Sequence, residues 1–299
     1  MLVRFIAHAG ISIEEEDFSI LIDPWFFDST PEYPVIESIG GGFKTIDFQI
    51  PRTTEKIEGY APDAILVSHF HPHHSPVRDI RLLCQNSLAQ GKQINLFHPL
   101  PSGAIEKNLQ ERVGPGVTRH GMEPGETCTI GPCTIEAKEH TMPFHRAWYV
   151  TSKTGSVLHI GDGTINKDST SRLTDPVWEQ LRGLAPSVLF LSSGGHNLRL
   201  TDKDGKRRIR EAGICTPVEA ARVAQVVQPR VVAAFGFYNH SIFKNRIEHI
   251  LPAPQTEEEF QWAVSWLAPE TRNVRLTPGY TFGIGDTNLR ATCDTYLVS

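Results

Sequence analysis

The stretch Ala64-Ile65-Leu66-Val67-Ser68-His69-Phe70-His71-Pro72-His73-His74-Ser75 decides how this chain is read. Its first four residues are apolar at every position, the pattern of a strand covered on both faces. Four histidines then fall within six positions, at His69, His71, His73 and His74. A neutral imidazole offers a cation its lone pair at little proton cost near neutral pH. Two histidines two apart, just past a buried strand, can converge on one ion from an irregular turn, and Pro72 stiffens that turn. His74, at the start of the next segment, would face a neighbouring position. A histidine-rich surface loop is the alternative this cluster leaves open on its own. A helix is predicted over residues 76–90, with Ser75 as its cap and Pro76 in its first turn.

Three segments further along add ligand types at strand ends. Lys138-Glu139-His140 closes one apolar run, His159-Ile160-Gly161-Asp162 closes another, and Phe235-Gly236-Phe237-Tyr238-Asn239-His240 follows a third. The carboxylate of Asp162 has two oxygens with which to bridge two cations. Side chains from the ends of several strands, gathered on one edge of a sheet, are how α/β proteins assemble a site.

The rest of the chain supplies the frame. Strands are predicted at 2–6, 11–13 and 18–22, with the acidic run Glu14 to Asp17 as a hairpin turn. Residues 23–61 are loop-rich, and the aromatic run Trp25-Phe26-Phe27 within them reads as a pocket wall or as core anchoring. Further strands are predicted at 94–97, 128–137 (as one strand), 147–151, 156–160, 188–191, 231–235 and 280–284. Asp175-Pro176 opens a helix with Val177, Leu181 and Leu184 on one face. Thr216 with Glu219, and Thr256 with Glu259, have the spacing of capping boxes before two more. No composition break marks a linker and no repeat is visible. The expectation is one α/β domain over residues 1–299, with sheets inside and helices outside.

Composition narrows the function. The chain has 299 residues and is 39% hydrophobic, enough for a core that needs no disulfides. A net charge of −5 argues against a nucleic-acid surface, which would need a basic stripe. The one dense basic run, Lys206-Arg207-Arg208-Ile209-Arg210, lies beside Asp202 and Asp204 and reads as a solvated loop. Five cysteines form no C-x-x-C pair, so neither a zinc ribbon nor a thioredoxin-like site is expected. No apolar run is long enough for a membrane span, and the N-terminus lacks the apolar core of a signal peptide. A cytoplasmic protein is expected, with a small-molecule substrate and no nucleic-acid partner. Oligomeric state stays open, a homo-oligomer included.

Taken in order, His69, His71, His74, His140, Asp162 and His240 resemble the metallo-β-lactamase superfamily, whose pattern is H-x-H-x-D-H, a lone His, an Asp after Gly, and a final His. The segments Ile6-Ala7-His8-Ala9-Gly10 and Ile20-Leu21-Ile22-Asp23-Pro24-Trp25 are similar to its opening strands and turn. The likeness spans most of residues 1–245. It is nearest to the branch of ascorbate-phosphate lactonases, phospholipase-type hydrolases and sugar-nucleotide hydroxylases. The resemblance implies a four-layer αββα sandwich holding one or two divalent transition metals, zinc first, with iron or manganese as alternatives. By that analogy His69, His71, His140 and Asp162 hold one ion. The other falls to His74, His240 and a bridging Asp162, either with His73 as an added nitrogen ligand or as a weak second site in a protein that works with one metal. One departure bears on the second ion: His73 stands where the family has Asp, which removes an anionic ligand.

The implied activity is hydrolysis of an ester, lactone or phosphodiester by a metal-bound hydroxide, with no Ser or Cys nucleophile. Consistently, the chain has no G-x-S-x-G elbow and no P-loop. Two alternatives are carried. One is a di-iron, O2-activating oxygenase on the same fold, although the C-x-H and C-x-x-H pairs of a Rieske cluster are missing. The other is a non-catalytic metal-binding domain. Besides Asp162, His145 is a candidate to line the pocket or donate a proton, and His196 to touch substrate. His8 and His159 read as structural or as supports behind the ligands. His98, His120 and His249 have no supporting context.

Overall fold

Strands that are apolar at every position must be covered on both sides, and a computed structural model of the chain shows how this is done. The structure describes residues 1–26, 32–33, 46–47, 55–70, 74–100, 113–142, 144–162, 176–193, 197–201, 207–211, 215–235, 247–249, 257–285 and 291–292. Strands β1 (Leu2–Ala7), β2 (Gly10–Glu15) and β3 (Phe18–Ile22) form an antiparallel meander. The hairpin turn expected at Glu14 to Asp17 is shorter: Glu14 and Glu15 belong to β2, and residues 16–17 make the turn, with Glu16 at φ 55°. Two short strands, β4 (Glu32–Tyr33) and β5 (Ile46–Asp47), pair with each other. After a 3-10 turn at Ile57–Gly59, the chain runs through β6 (Ala64–Leu66), helix α1 (Val77–Ala89), β7 (Ile94–Pro99) and β8 (Val117–Met122). Strands β3, β6, β7 and β8 are parallel neighbours.

The second half begins with β9 (Thr127–Ile130), β10 (Cys133–Lys138), β11 (Ala147–Thr151) and β12 (Ser156–His159), all antiparallel. Helix α2 (Pro176–Leu181) leads to β13 (Val188–Ser192), then β14 (Asn197–Thr201) and β15 (Arg207–Glu211). Helix α3 (Pro217–Val227), β16 (Val231–Phe235), β17 (Ile247–His249) and helix α4 (Glu257–Leu267) follow. Last come β18 (Arg272–Val274), β19 (Thr281–Gly283) and β20 (Ala291–Thr292). One sheet has eight strands in the order β20-β19-β1-β2-β3-β6-β7-β8, and the other has seven in the order β18-β16-β13-β12-β11-β10-β9. Strands β15, β14 and β17 make a separate three-stranded sheet.

Alternation along each strand sorts side chains into layers. In β13, Val188 and Phe190 face the other sheet while Leu189 and Leu191 face the helices. Strand β16 repeats this, with Val231, Ala233 and Phe235 inward and Val232 and Ala234 outward. Across the gap, Ile20, Ile22, Ala64 and Leu66 meet them, while Leu21, Ile65 and Val67 turn to α1 and its Ile80, Leu83 and Cys84. Helices α2, α3 and α4 cover the outside of the seven-stranded sheet through Trp178, Val223 and Phe260. The result is the expected four-layer αββα sandwich. Each buried Val, Leu, Ile or Phe contributes roughly 1.5–3 kcal/mol, so three apolar layers stabilise the sheets that carry the site.

Several local expectations are corrected. Residues 128–137 are two strands, because Gly131 at φ 53° and Pro132 turn the chain between β9 and β10. Strand β8 was missing from the predicted set; its sequence is polar because it lies at a sheet edge. Pro76, not Ser75, occupies the cap position of α1, with no side-chain cap bond. Most of the basic run, Arg207 to Arg210, is in β15 rather than a loop. The Thr216–Glu219 capping box is present as predicted, whereas Thr256 lies outside the described residues. Trp25 is 1% and Phe26 9% exposed, so these two serve as core; Phe27 lies outside the described residues. Cys84, Cys128 and Cys133 are free thiols. Among the described residues no helix is long and apolar enough to cross a membrane.

Candidate metal centre

Parallel pairing puts the C-terminal ends of β3 and β6 on one edge of the first sheet, and those of β12, β13 and β16 on one edge of the second. The chain leaves β3 at Asp23, β6 at Ser68-His69 and β12 at Gly161-Asp162, while His74 precedes α1. His69, His74 and Asp162 converge: one ligand atom from each lies within 4.8 Å of the others, the two histidines are buried and the Asp162 side chain is 13% exposed. His74 Nε2 is 3.4 Å and His69 Nε2 3.9 Å from Asp162 Oδ2. This is the donor set that suits a divalent transition metal.

Behind the cluster stands Asp23, fully buried. Its Oδ1 accepts the Ser68 backbone N–H at 2.7 Å, and its Oδ2 accepts the Ser68 hydroxyl and meets His74 Nδ1 at 2.7 Å. The residue sits at φ 46°, its own N–H donating to the Leu66 carbonyl. With Nδ1 protonated towards Asp23, the Nε2 lone pair of His74 is the one turned to Asp162, the arrangement by which a carboxylate orients a metal-binding imidazole. Burial alone would lower the pKa of His74, but Asp162 and Asp23 outweigh it and raise it to about 9. A pocket that holds one imidazole between two carboxylates stabilises positive charge, whether on a proton or on a metal cation.

Gly161 permits the approach of Asp162. It adopts φ 71°, and a Cβ there would lie 2.8 Å from Ser68 Oγ. The loop between β10 and β11 contributes two more imidazoles. His145 stacks on His69 with ring centroids 4.0 Å apart and on His140 at 5.1 Å. His140 Nδ1 accepts the Met142 backbone N–H at 3.0 Å, and the buried ring also lies against the backbone of Ile160. Burial, reinforced by His145, lowers the pKa of His140 to about 3, so this ring is neutral at physiological pH. A neutral, buried imidazole beside His69 and His145 fits a metal ligand.

The remaining predicted residues fall into two groups. His71, His73, His196 and His240, with Phe237 and Tyr238, lie outside the described residues. The last described positions before His196 and His240 are Ser193, directly after β13, and Phe235, which ends β16, both on the edge that carries Asp162, with Ser193 N–H bonded to the Phe235 carbonyl at 2.7 Å. His8 packs edge-on against His74, ring centroids 5.2 Å apart. His159 is fully buried, bonds the Ala9 carbonyl through Nε2 at 2.9 Å and stacks on Phe235, tying the two sheets together. His98 is buried and His120 bonds Asn95, so both are structural.

Two residues with evident roles were given none from the sequence. Asp23 lay inside a quoted motif, and its signal is an acid directly after a buried apolar run, on the edge where the histidines emerge. Arg146 is only 6% exposed. Its guanidinium bonds the carbonyls of Met122 (3.1 Å), His145 (2.7 Å) and Leu100, and Glu123 at 3.1 Å. Its backbone N–H reaches the Ser68 carbonyl at 2.8 Å. It therefore clamps the His145 loop to the segment that bears His69. Nothing in the sequence marks an arginine as buried.

No protein-family model and no curated protein sequence matches the chain. Solved structures do. Igni18, described as a novel metallo hydrolase from the archaeon Ignicoccus hospitalis, aligns with TM-score 0.58 and 16% identity over 94% of this chain and 96% of its own. The metallo-β-lactamase fold protein YhfI from Bacillus subtilis aligns with TM-score 0.57 and 14% identity, over 94% of this chain and 98% of its own. CmlA from Streptomyces venezuelae, a diiron β-hydroxylase, aligns with TM-score 0.61 and 13% identity; the match covers 94% of this chain but 53% of CmlA.

Proposed function

We propose, taking the metallo-β-lactamase fold of this chain as the premise, that it is a metal-dependent hydrolase of a small-molecule ester, lactone or phosphodiester. The observation that carries this reading is the convergence of His69, His74 and Asp162 within 4.8 Å, with Asp23 fixing His74 from behind. His69, His71, His140 and Asp162 would hold one divalent cation. His73, His74 and His240, with Asp162, would hold a second. Zinc is the first candidate, since imidazole and carboxylate ligands on a buried edge suit it.

A cation there supplies Lewis acidity, lowering the pKa of water and offsetting the charge that develops on a carbonyl or phosphoryl oxygen. The chain's own residues do the rest. Asp23 and Ser68 keep His74 in one tautomer, and the buried walls exclude bulk water. His145, stacked on His69, donates a proton to the leaving group, and His196 contacts the substrate. No side-chain nucleophile is needed. A second reading, a di-iron oxygenase, is favoured by the likeness to CmlA.

Metal analysis of the purified protein, followed by a panel of esters, lactones and phosphodiesters, tests this reading. Stoichiometric zinc or manganese, with turnover lost at least about 100-fold in His69→Ala, is the expected result. Bound iron with O2 consumption and no hydrolysis would move the assignment to the oxygenase. Tightly held metal without turnover on any substrate would leave a metal-binding domain.

A further inference from the structure

Phe144 combines three features, and the local turn accounts for its backbone angle but not for an exposed phenylalanine at that position. Its φ is 61°, in the left-handed region that L-residues with a bulky side chain rarely adopt. Its side chain is 57% exposed, so burial does not compensate. It directly precedes His145, whose ring lies 4.0 Å from that of His69 and 5.1 Å from that of His140.

Among the described residues the other non-glycine residues at positive φ are His8, Glu16, Asp23, Ala185 and Gln228, none of them a large apolar side chain. A glycine would make the same turn with less strain. The turn closes on its own backbone, His145 N–H donating to the Met142 carbonyl at 3.4 Å with Phe144 at its third position, and is tied to its surroundings: Met142 N–H bonds His140 Nδ1, Arg146 N–H bonds the Ser68 carbonyl, and the Arg146 guanidinium grips the His145, Met122 and Leu100 carbonyls. Strain that the surroundings enforce in this way gathers at sites of function. A lone exposed apolar residue means little. A strained one beside the candidate ligands calls for an apolar contact made by something other than the fold.

We infer that Phe144 is an apolar wall of the substrate site, a specificity-determining residue that packs on an aryl or alkyl group beside the bond to be cut. This inference rests on the hydrolase reading and narrows its substrate class to molecules with an apolar arm next to the ester, lactone or phosphodiester.

The test uses the zinc-loaded full chain and two metal-chelating probes, benzohydroxamate and acetohydroxamate, with affinities measured by calorimetry. Wild type is expected to prefer the aryl probe, and Phe144→Gly and Phe144→Ala to lose about tenfold of that preference. Acetohydroxamate, which has no ring to pack, reads the metal site itself and should change less than about threefold. Thermal unfolding of Phe144→Gly should occur at the wild-type temperature or above it, because glycine relieves the backbone. Trp262→Ala, on α4 in the outer helical layer, is the control for a generic loss of an exposed aromatic.

An unchanged preference in both variants overturns the role of Phe144 and leaves the hydrolase reading standing. So does a fall in unfolding temperature with loss of both probes, which would make Phe144 a structural plug. If zinc-loaded wild type binds neither probe, the metal site fails and this inference fails with it.

Discussion

Replacing Asp23 by Asn tests the buried support of the site with almost no change in volume. The carboxylate accepts from Ser68 N, Ser68 Oγ and His74 Nδ1, and both Asp23 and His74 are fully buried. An amide keeps one acceptor but turns an NH2 on the other two donors. A buried hydrogen bond to a charged partner is worth about 1.5–3 kcal/mol. The shift of His74 from 6.5 to about 9 sets a similar scale, about 3 kcal/mol at 1.36 per unit, and Asp23 shares it with Asp162. Asp23→Asn should therefore cost the metal-free protein about 2–4 kcal/mol at pH 6–7, a drop of about 5–10 °C in Tm.

The pH dependence has a definite sign. A histidine whose folded pKa is raised stabilises fully below its unfolded value of 6.5, and this contribution is lost as pH rises through about 9. Chelator-treated wild type should lose stability across that window, and Asp23→Asn should lose less. Metal binding suffers by a separate route. Facing an NH2, His74 Nδ1 becomes the acceptor, the proton moves to Nε2, and the lone pair aimed at Asp162 is gone. Loss of such a support costs about 10–100-fold in metal affinity. Urea unfolding at three pH values and zinc competition against a chelator read both effects. If Asp23→Asn matches wild type in unfolding midpoint at pH 6 and in zinc affinity, the support role is wrong.

Gly161→Ala puts a Cβ 2.8 Å from Ser68 Oγ at φ 71°; it should cost about 2–4 kcal/mol and weaken zinc binding. Gly91→Ala, at φ 73° with nothing within 4 Å, should cost only about 1 kcal/mol, so equal losses in urea unfolding would refute the close-approach argument. Arg146→Met removes the guanidinium's bonds to the Met122, His145 and Leu100 carbonyls and should destabilise by about 2–4 kcal/mol, with Arg146→Lys recovering part; a thermal shift under 1 °C would contradict the clamp. Asp79 behaves in the opposite sense to His74. Burial raises its carboxyl to about 7 although it accepts the Phe26 N–H at 2.9 Å, so folding loses stability as pH climbs from 3.8 towards 7. Asp79→Asn keeps the acceptor and should stabilise the protein above pH 7 by about 1–3 kcal/mol, with about 4 as the ceiling; a less stable variant at pH 8 would reverse this reading.

How much of this could be read in advance follows from which physical demand each residue answers. Strands covered on both faces need apolar residues throughout, so Ala64 to Val67, Val188 to Leu191 and Val231 to Phe235 were legible as runs. An edge strand answers a weaker demand. Val117 to Met122 is half polar, and its place is set by backbone bonds to β7 rather than by its side chains. The break at Gly131-Pro132 carried a turn signal, overridden by the apolar residues on either side.

The same contrast runs through the site. Ligand types are constrained by chemistry, so His69, His74, His140 and Asp162 stood out by residue type and by position after strands. Asp23, Ser68, Gly161 and Arg146 act through other residues, and what selects each is a distance: 2.7 Å to an imidazole, 2.8 Å from an absent Cβ to a hydroxyl, 2.7 Å to a carbonyl. Distances between strand ends are properties of the sheets, which one chain does not display until it is folded. For this reason the supports, rather than the ligands, are where substitution experiments on this protein carry the most information: a ligand variant tests the resemblance, whereas Asp23→Asn and Gly161→Ala test the geometry that makes the ligands meet.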